Sequence, residues 1–155
     1  MDATFDVGRN IYDRLVENGF NTEVPVPIFY AGGEVSTLAE LPYQDQKCID
    51  RMAYVLKLNN TEAGDRYFKT VTFENQDKWE NKLWGINGDI VKTDYDASRD
   101  ATLTMHLFKT KEDGRVITVF ASISEQGHDC REHTCEHAWQ FMSQFKRVNG
   151  EIENI

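Results

Sequence analysis

Val7, Ile11 and Leu15 recur at four-residue spacing with Tyr12 and Val16 beside them, a stripe that predicts an opening helix ended by Gly19. Val24 to Ala31, VPVPIFYA, is nearly continuous in apolar character. That suits a strand buried on both faces, as in parallel sheets, with its prolines at the start where a missing donor is tolerated. Gly32 and Gly33 then let the backbone turn sharply, and Glu34 is the first ionisable group past the turn. Ile49, Met52, Ala53 and Leu56 predict a second amphipathic helix across 45–58, with Cys48 as core filler. Residues 66–73 alternate in character, and 79–88 form an aromatic-rich connection in which Trp79 and Trp84 can line an apolar pocket or cover a core. Ala101 to Lys109 alternate as a strand, Glu112-Asp113-Gly114 turns tightly, and Arg115 to Ser122 returns, which predicts a β-hairpin. Beyond Gly127, Cys135, Ala138, Phe141, Met142 and Phe145 fall at helical spacing, so 132–146 is expected to be an amphipathic helix.

Composition bounds the class. At 155 residues, with 40% hydrophobic and 12% aromatic side chains, the chain is expected to be a single folded unit over 1–155. The net charge of -9 disfavours nucleic acid and anionic membrane as partners, because both reward clustered Lys and Arg. Three cysteines make an odd set, for which reduced thiols are the default. No apolar run approaches the roughly 20 residues of a membrane span, and the acidic start MDATFDVGRN lacks a signal-peptide pattern. There is no internal repeat and no linker.

The candidate chemistry gathers at two strand ends. Val116 to Ala121 suits a largely buried strand, and His128 follows it within one short loop. An imidazole there can act as a general base near neutral pH. Glu34 occupies the equivalent place after the first strand, where open α/β sheets carry their working residues.

The run GHDCREHTCEHAWQFMSQFKRVNGEI resembles the C-terminal end of α/β-hydrolase esterases related to polyhydroxybutyrate depolymerases and feruloyl esterases, matching at Gly127, His128, Trp139, Phe141, Phe145 and Arg147. Those proteins end in a strand, a Gly-His loop with the triad histidine, and a helix rich in Trp and Phe that finishes in Phe-x-Arg. PVPIFYAGGE resembles their acid strand, with Glu34 where the family usually has Asp. The resemblance implies an α/β fold: part of an α/β-hydrolase, its C-terminal strands and helices in a mostly parallel sheet with a β-hairpin insertion. It implies a serine carboxylic-ester hydrolase in which Glu34 is the acid and His128 the general base. No metal or organic cofactor is implied, and the substrate is a small-molecule or polymer-linked ester. The nucleophile motif Gly-x-Ser-x-Gly is absent, since none of Ser36, Ser98, Ser122, Ser124 and Ser143 has glycines two residues away on both sides. A chain beginning just before the acid strand would lack it by truncation, which makes the nucleophile-bearing half, or self-association, the expected partner.

Rival readings come from other classes. His133 and His137 lie four apart on one helical face, with His128, Cys130, Cys135 and Glu136 nearby, offering zinc-type ligands. The order His-x-Cys-x-x-His-x-Cys-x-His matches no structural zinc spacing, Cys135 points about 200° around the helix from His137, and HExxH is absent. A Cys130 nucleophile is opposed by Asp129, Glu132 and Glu136, which raise a thiol pKa. The remaining alternative is a non-catalytic binding or assembly module of the same fold.

Overall fold

The computed structural model describes residues 17, 25–35, 52, 54–67, 86–127 and 129–155. The predicted opening helix, Cys48, Ser36, Thr37, the stretch 68–85 with Trp79 and Trp84, and His128 lie outside the described residues.

Strand β4 (Val116–Ile123) is buried at every position after its first, and the sheet is built around it. On one side it pairs in parallel with β1 (Ile28–Gly33), from Ile28 opposite Thr118 to Gly33 opposite Ile123. On the other it pairs antiparallel with β3 (Ala101–Lys109), which in turn pairs antiparallel with β2 (Ile90–Asp96), giving the order β1-β4-β3-β2. The predicted hairpin thus appears as β3 and β4, closed by a turn in which Gly114 takes a φ of 72°. Its Asp113 carboxylate accepts bonds from the Thr110 hydroxyl and the Arg115 N–H.

Successive side chains of β4 alternate between two apolar clusters. Phe120 packs with Met52, Leu56, Ala63, Ile86 and Phe108 on one face, its ring 5.2 Å from that of Phe108 and 6.2 Å from Tyr30. Val119, Ala121 and Ile123 join Leu103, Met105 and Phe141 on the other. Each fully buried aromatic or aliphatic side chain here contributes about 1.5–3 kcal/mol. Coverage on both faces explains why β4 carries apolar side chains at consecutive positions such as Val119, Phe120 and Ala121.

Residues 54–58 are helical and lead through Asn59 into α1 (Glu62–Tyr67). Asn59 is fully buried and fastens this turn to the sheet. Its Oδ1 accepts from the Val26 N–H at 2.8 Å, and its Nδ2 donates to the Val26 carbonyl at 2.8 Å and to Thr118 Oγ1 at 2.6 Å. Thr61 Oγ1 accepts the Gly64 N–H at 3.0 Å, capping α1.

Helix α2 (Glu132–Met142) lies on the opposite face, with Phe141 6.1 Å from Phe29. It stops four residues earlier than the apolar spacing predicts. Phe145 and Arg147, which the resemblance places at the end of the helix, belong to β5 (Phe145–Val148), paired antiparallel with β6 (Glu151–Asn154). Asn149 and Gly150 both adopt positive φ between them, as a tight two-residue hairpin turn requires. Phe145 still packs against Phe141, with ring centroids 5.2 Å apart.

The expectation of a partial α/β-hydrolase sheet is overturned. The described residues form a mixed four-stranded sheet and a separate two-stranded one, mostly antiparallel. The cause lies in the connections: a turn of a few residues joins β3 to β4, and residues 97–100 join β2 to β3, which forces antiparallel pairing. Among the described residues no helix is long and apolar enough to cross a membrane.

Candidate functional site

The parallel pairing of β1 and β4 brings their two carboxyl ends to one rim. There the Glu34 N–H donates to the Ile123 carbonyl at 2.9 Å, and the Val35 N–H to the Gln126 carbonyl at 3.0 Å. Glu34 is half-buried. A cavity of about 360 Å³ opens beside this rim, lined by Gly32, Gly33, Gln126, Gly127, Arg131 and Thr134 among others. That volume lies within the range of small-molecule sites.

Contrary to the expectation of a sharp glycine turn, Gly32 and Gly33 are the last residues of β1. Gly33 is needed for close approach: a Cβ there would stand 2.2 Å from the Gln126 carbonyl oxygen and 2.4 Å from that of Gly127.

The loop that carries His128 is anchored on both sides of it. Arg131 Nη2 donates to the Glu125 carbonyl at 3.3 Å and its Nε to the Asp129 carboxylate at 3.2 Å, while Gln126 Nε2 donates to the Asp129 carbonyl at 2.8 Å. Two buried atoms of this loop, Gln126 Oε1 and Arg131 Nη1, have no hydrogen-bond partner among the described residues. Buried polar atoms are rarely left so, and one acceptor and one donor on residues that line a cavity suit a polar guest. Neither residue stands out in the sequence, because a loop Gln and Arg usually face solvent.

A second constellation joins α2 to β2. His133 and His137 both aim Nε2 at Oδ2 of Asp94, at 2.9 and 2.8 Å, with their rings 4.9 Å apart. These two hydrogen bonds, that of His137 foremost, hold the Asp94 carboxyl below the usual carboxylate range. Of the ligand set suggested by sequence, His128 lies outside the described residues, and among the described members only these two histidines meet at Asp94. Glu136 is exposed, and Cys130 and Cys135 face each other with sulfur atoms 3.0 Å apart. The hydrogen bond from Cys130 is the main cause that raises the Cys135 thiol above its ordinary pKa. Asp94 was missed because β2 shows almost no apolar alternation.

Compared with protein-family models and with curated proteins, the chain matches none.

Proposed function

We propose that the chain supplies the acid and the general base of a carboxylic-ester hydrolase, with Glu34 orienting the imidazole of His128. What supports this reading is one relationship. Glu34 and the loop that carries His128 leave the same ends of two adjacent, in-register parallel strands, beside a cavity of about 360 Å³. In this reading His128 takes the proton from a serine hydroxyl as its oxygen attacks the ester carbonyl, then returns it to the departing alcohol. Water hydrolyses the acyl-enzyme by the same exchange. Glu34 accepts the other imidazole N–H and fixes the tautomer. The serine comes from a complementing segment, since the sequence holds no Gly-x-Ser-x-Gly, and the carboxylate product fits the Arg131 Nη1 donor, which has no partner among the described residues.

The test uses the chain itself. The His128 ring is titrated by NMR in the parent and in Glu34→Gln, and butyrate is added as a product probe. If the two residues pair, removing the carboxylate lowers the His128 pKa by about one unit or more, and butyrate shifts the amides of Gly33, Gln126 and Arg131. An unchanged titration removes Glu34 from the reading. Butyrate binding with an unchanged titration favours a non-catalytic binding module over the esterase.

A further inference from the structure

We infer that Asp94, His133 and His137 form a binding site for a divalent transition cation of the zinc class. The site shares no residue with the ester-hydrolase reading, so each stands or falls without the other.

Two imidazoles directed at a single carboxylate oxygen are more than an ion pair requires. The nitrogens and Oδ2 all lie within 4.8 Å of one another, and each imidazole nitrogen stands 2.8–2.9 Å from Oδ2. Around a tetrahedral zinc with bonds of about 2.0–2.1 Å, ligand atoms stand roughly 3.3 Å apart. Each imidazole nitrogen therefore needs to draw back from Oδ2 by only about half an ångström, and the two nitrogens, within 4.8 Å of each other, need to settle at the same spacing, to admit the ion.

Their supports are suited to holding that spacing. His133 and His137 are one turn apart on α2, so they share a face. Asp94 sits on β2, where the Tyr95 N–H donates to its Oδ1 at 3.1 Å and leaves Oδ2 turned to the histidines. Two imidazole nitrogens with one carboxylate oxygen suit zinc better than magnesium or calcium, which take oxygen ligands. Both histidine side chains are 22–23% exposed and Asp94 is half exposed, so a fourth coordination position faces solvent. A cation here would bridge α2 to β2, a strand at one edge of the sheet.

The thiols of Cys130 and Cys135 lie near the start of the same helix, and the experiment must separate them from this site. Zinc binding is measured by calorimetry on the full chain under reducing conditions, and cobalt(II) serves as the spectroscopic probe. The expected result is one zinc per chain, with visible cobalt bands of a nitrogen and oxygen site and no thiolate-to-metal charge transfer. Asp94→Asn, His133→Gln and His137→Gln should each weaken binding by about tenfold or more, a bound set by what loss of even an outer partner costs. Cys130→Ser combined with Cys135→Ser should leave binding unchanged. Zinc should also raise the melting temperature of the parent and not of the histidine variants, a readout independent of any activity. The assignment is overturned by absent binding, by affinity that survives the three site variants, or by a cobalt spectrum and affinity that depend on the cysteines.

Discussion

Gly33 approaches Gln126 so closely that a methyl group on its Cα would lie 2.2 Å from the Gln126 carbonyl oxygen. The neighbouring atoms are backbone, held by the Val35 to Gln126 hydrogen bond, and cannot swing away as a flexible side chain would. Gly33→Ala therefore has to push β1 and the Gln126 loop apart. The expected loss of stability is about 1–3 kcal/mol, read as a lower midpoint in urea. Gly114→Ala is the instructive comparison. A Cβ there meets nothing within 4 Å, but its φ of 72° penalises any side chain, so its cost is conformational and leaves the cavity rim intact. Equal stability of Gly33→Ala and the parent would show that the rim is loose.

His106 offers a pH signature distinct from any binding site. It is buried in β3, its Nδ1 accepts the Gly88 N–H at 3.2 Å, and burial holds its pKa below the ordinary 6.5. The folded chain keeps this imidazole neutral, while the unfolded chain takes up a proton as pH falls through 6.5. Above that value neither state binds the proton and stability is unaffected. Below it the unfolded state is favoured, until the folded-state pKa is reached. The slope attributable to this one group is at most about 1.4 kcal/mol per pH unit. His106→Asn keeps an acceptor near Gly88 and removes the titration, so its urea midpoint should vary less with pH just below 6.5. An identical pH profile in both proteins would show that His106 takes up its proton in the folded state.

The strands with strong patterning were legible, and those that borrow their structure were not. Ala101–Lys109 alternates over its first five residues, where Ala101, Leu103 and Met105 face one cluster before Phe108 turns to the other, and its limits follow from the sequence. Ile90–Asp96 carries few apolar residues and is mostly exposed; it becomes a strand by hydrogen bonding to β3, so Asp94 gave no sign of meeting two histidines. The continuous apolar run from Val24 to Ala31 pointed to parallel pairing, and β1 does pair in parallel with β4; the mostly parallel sheet implied by the resemblance failed because the short turns linking β2, β3 and β4 make their pairings antiparallel.

At the C-terminal end the helical spacing alone was read, and a turn signal beyond it was missed. Asn149-Gly150 is a strong hairpin signal, yet the helical spacing of Phe141, Met142 and Phe145 suggested a helix to Lys146. Phe145 satisfies both descriptions, since it reaches the Phe141 cluster from β5. The pairing of His133 with His137 on one helical face was readable from their spacing. Their third partner was not, because it depends on a contact across 39 residues of sequence.

Cys130 and Cys135 carry the last prediction. Their sulfur atoms are 3.0 Å apart, both residues are exposed, and a disulfide requires an approach to about 2.05 Å. Exchange with a small disulfide such as oxidised glutathione balances without a further oxidant: two protein thiols become one disulfide while the reagent leaves as two thiols. The closed loop is short, so the loop-closure gain is about 2 kcal/mol, delivered to the start of α2, where Arg131 makes no side-chain cap bond. Trypsin cuts after Arg131, between the two cysteines, so the oxidised pair should hold peptides 116–131 and 132–146 together in a non-reduced digest and release them on reduction. If the digest instead yields separate peptides, each bearing glutathione or an alkylated thiol, the two side chains do not close on one another in solution and the start of α2 is not pinned by them.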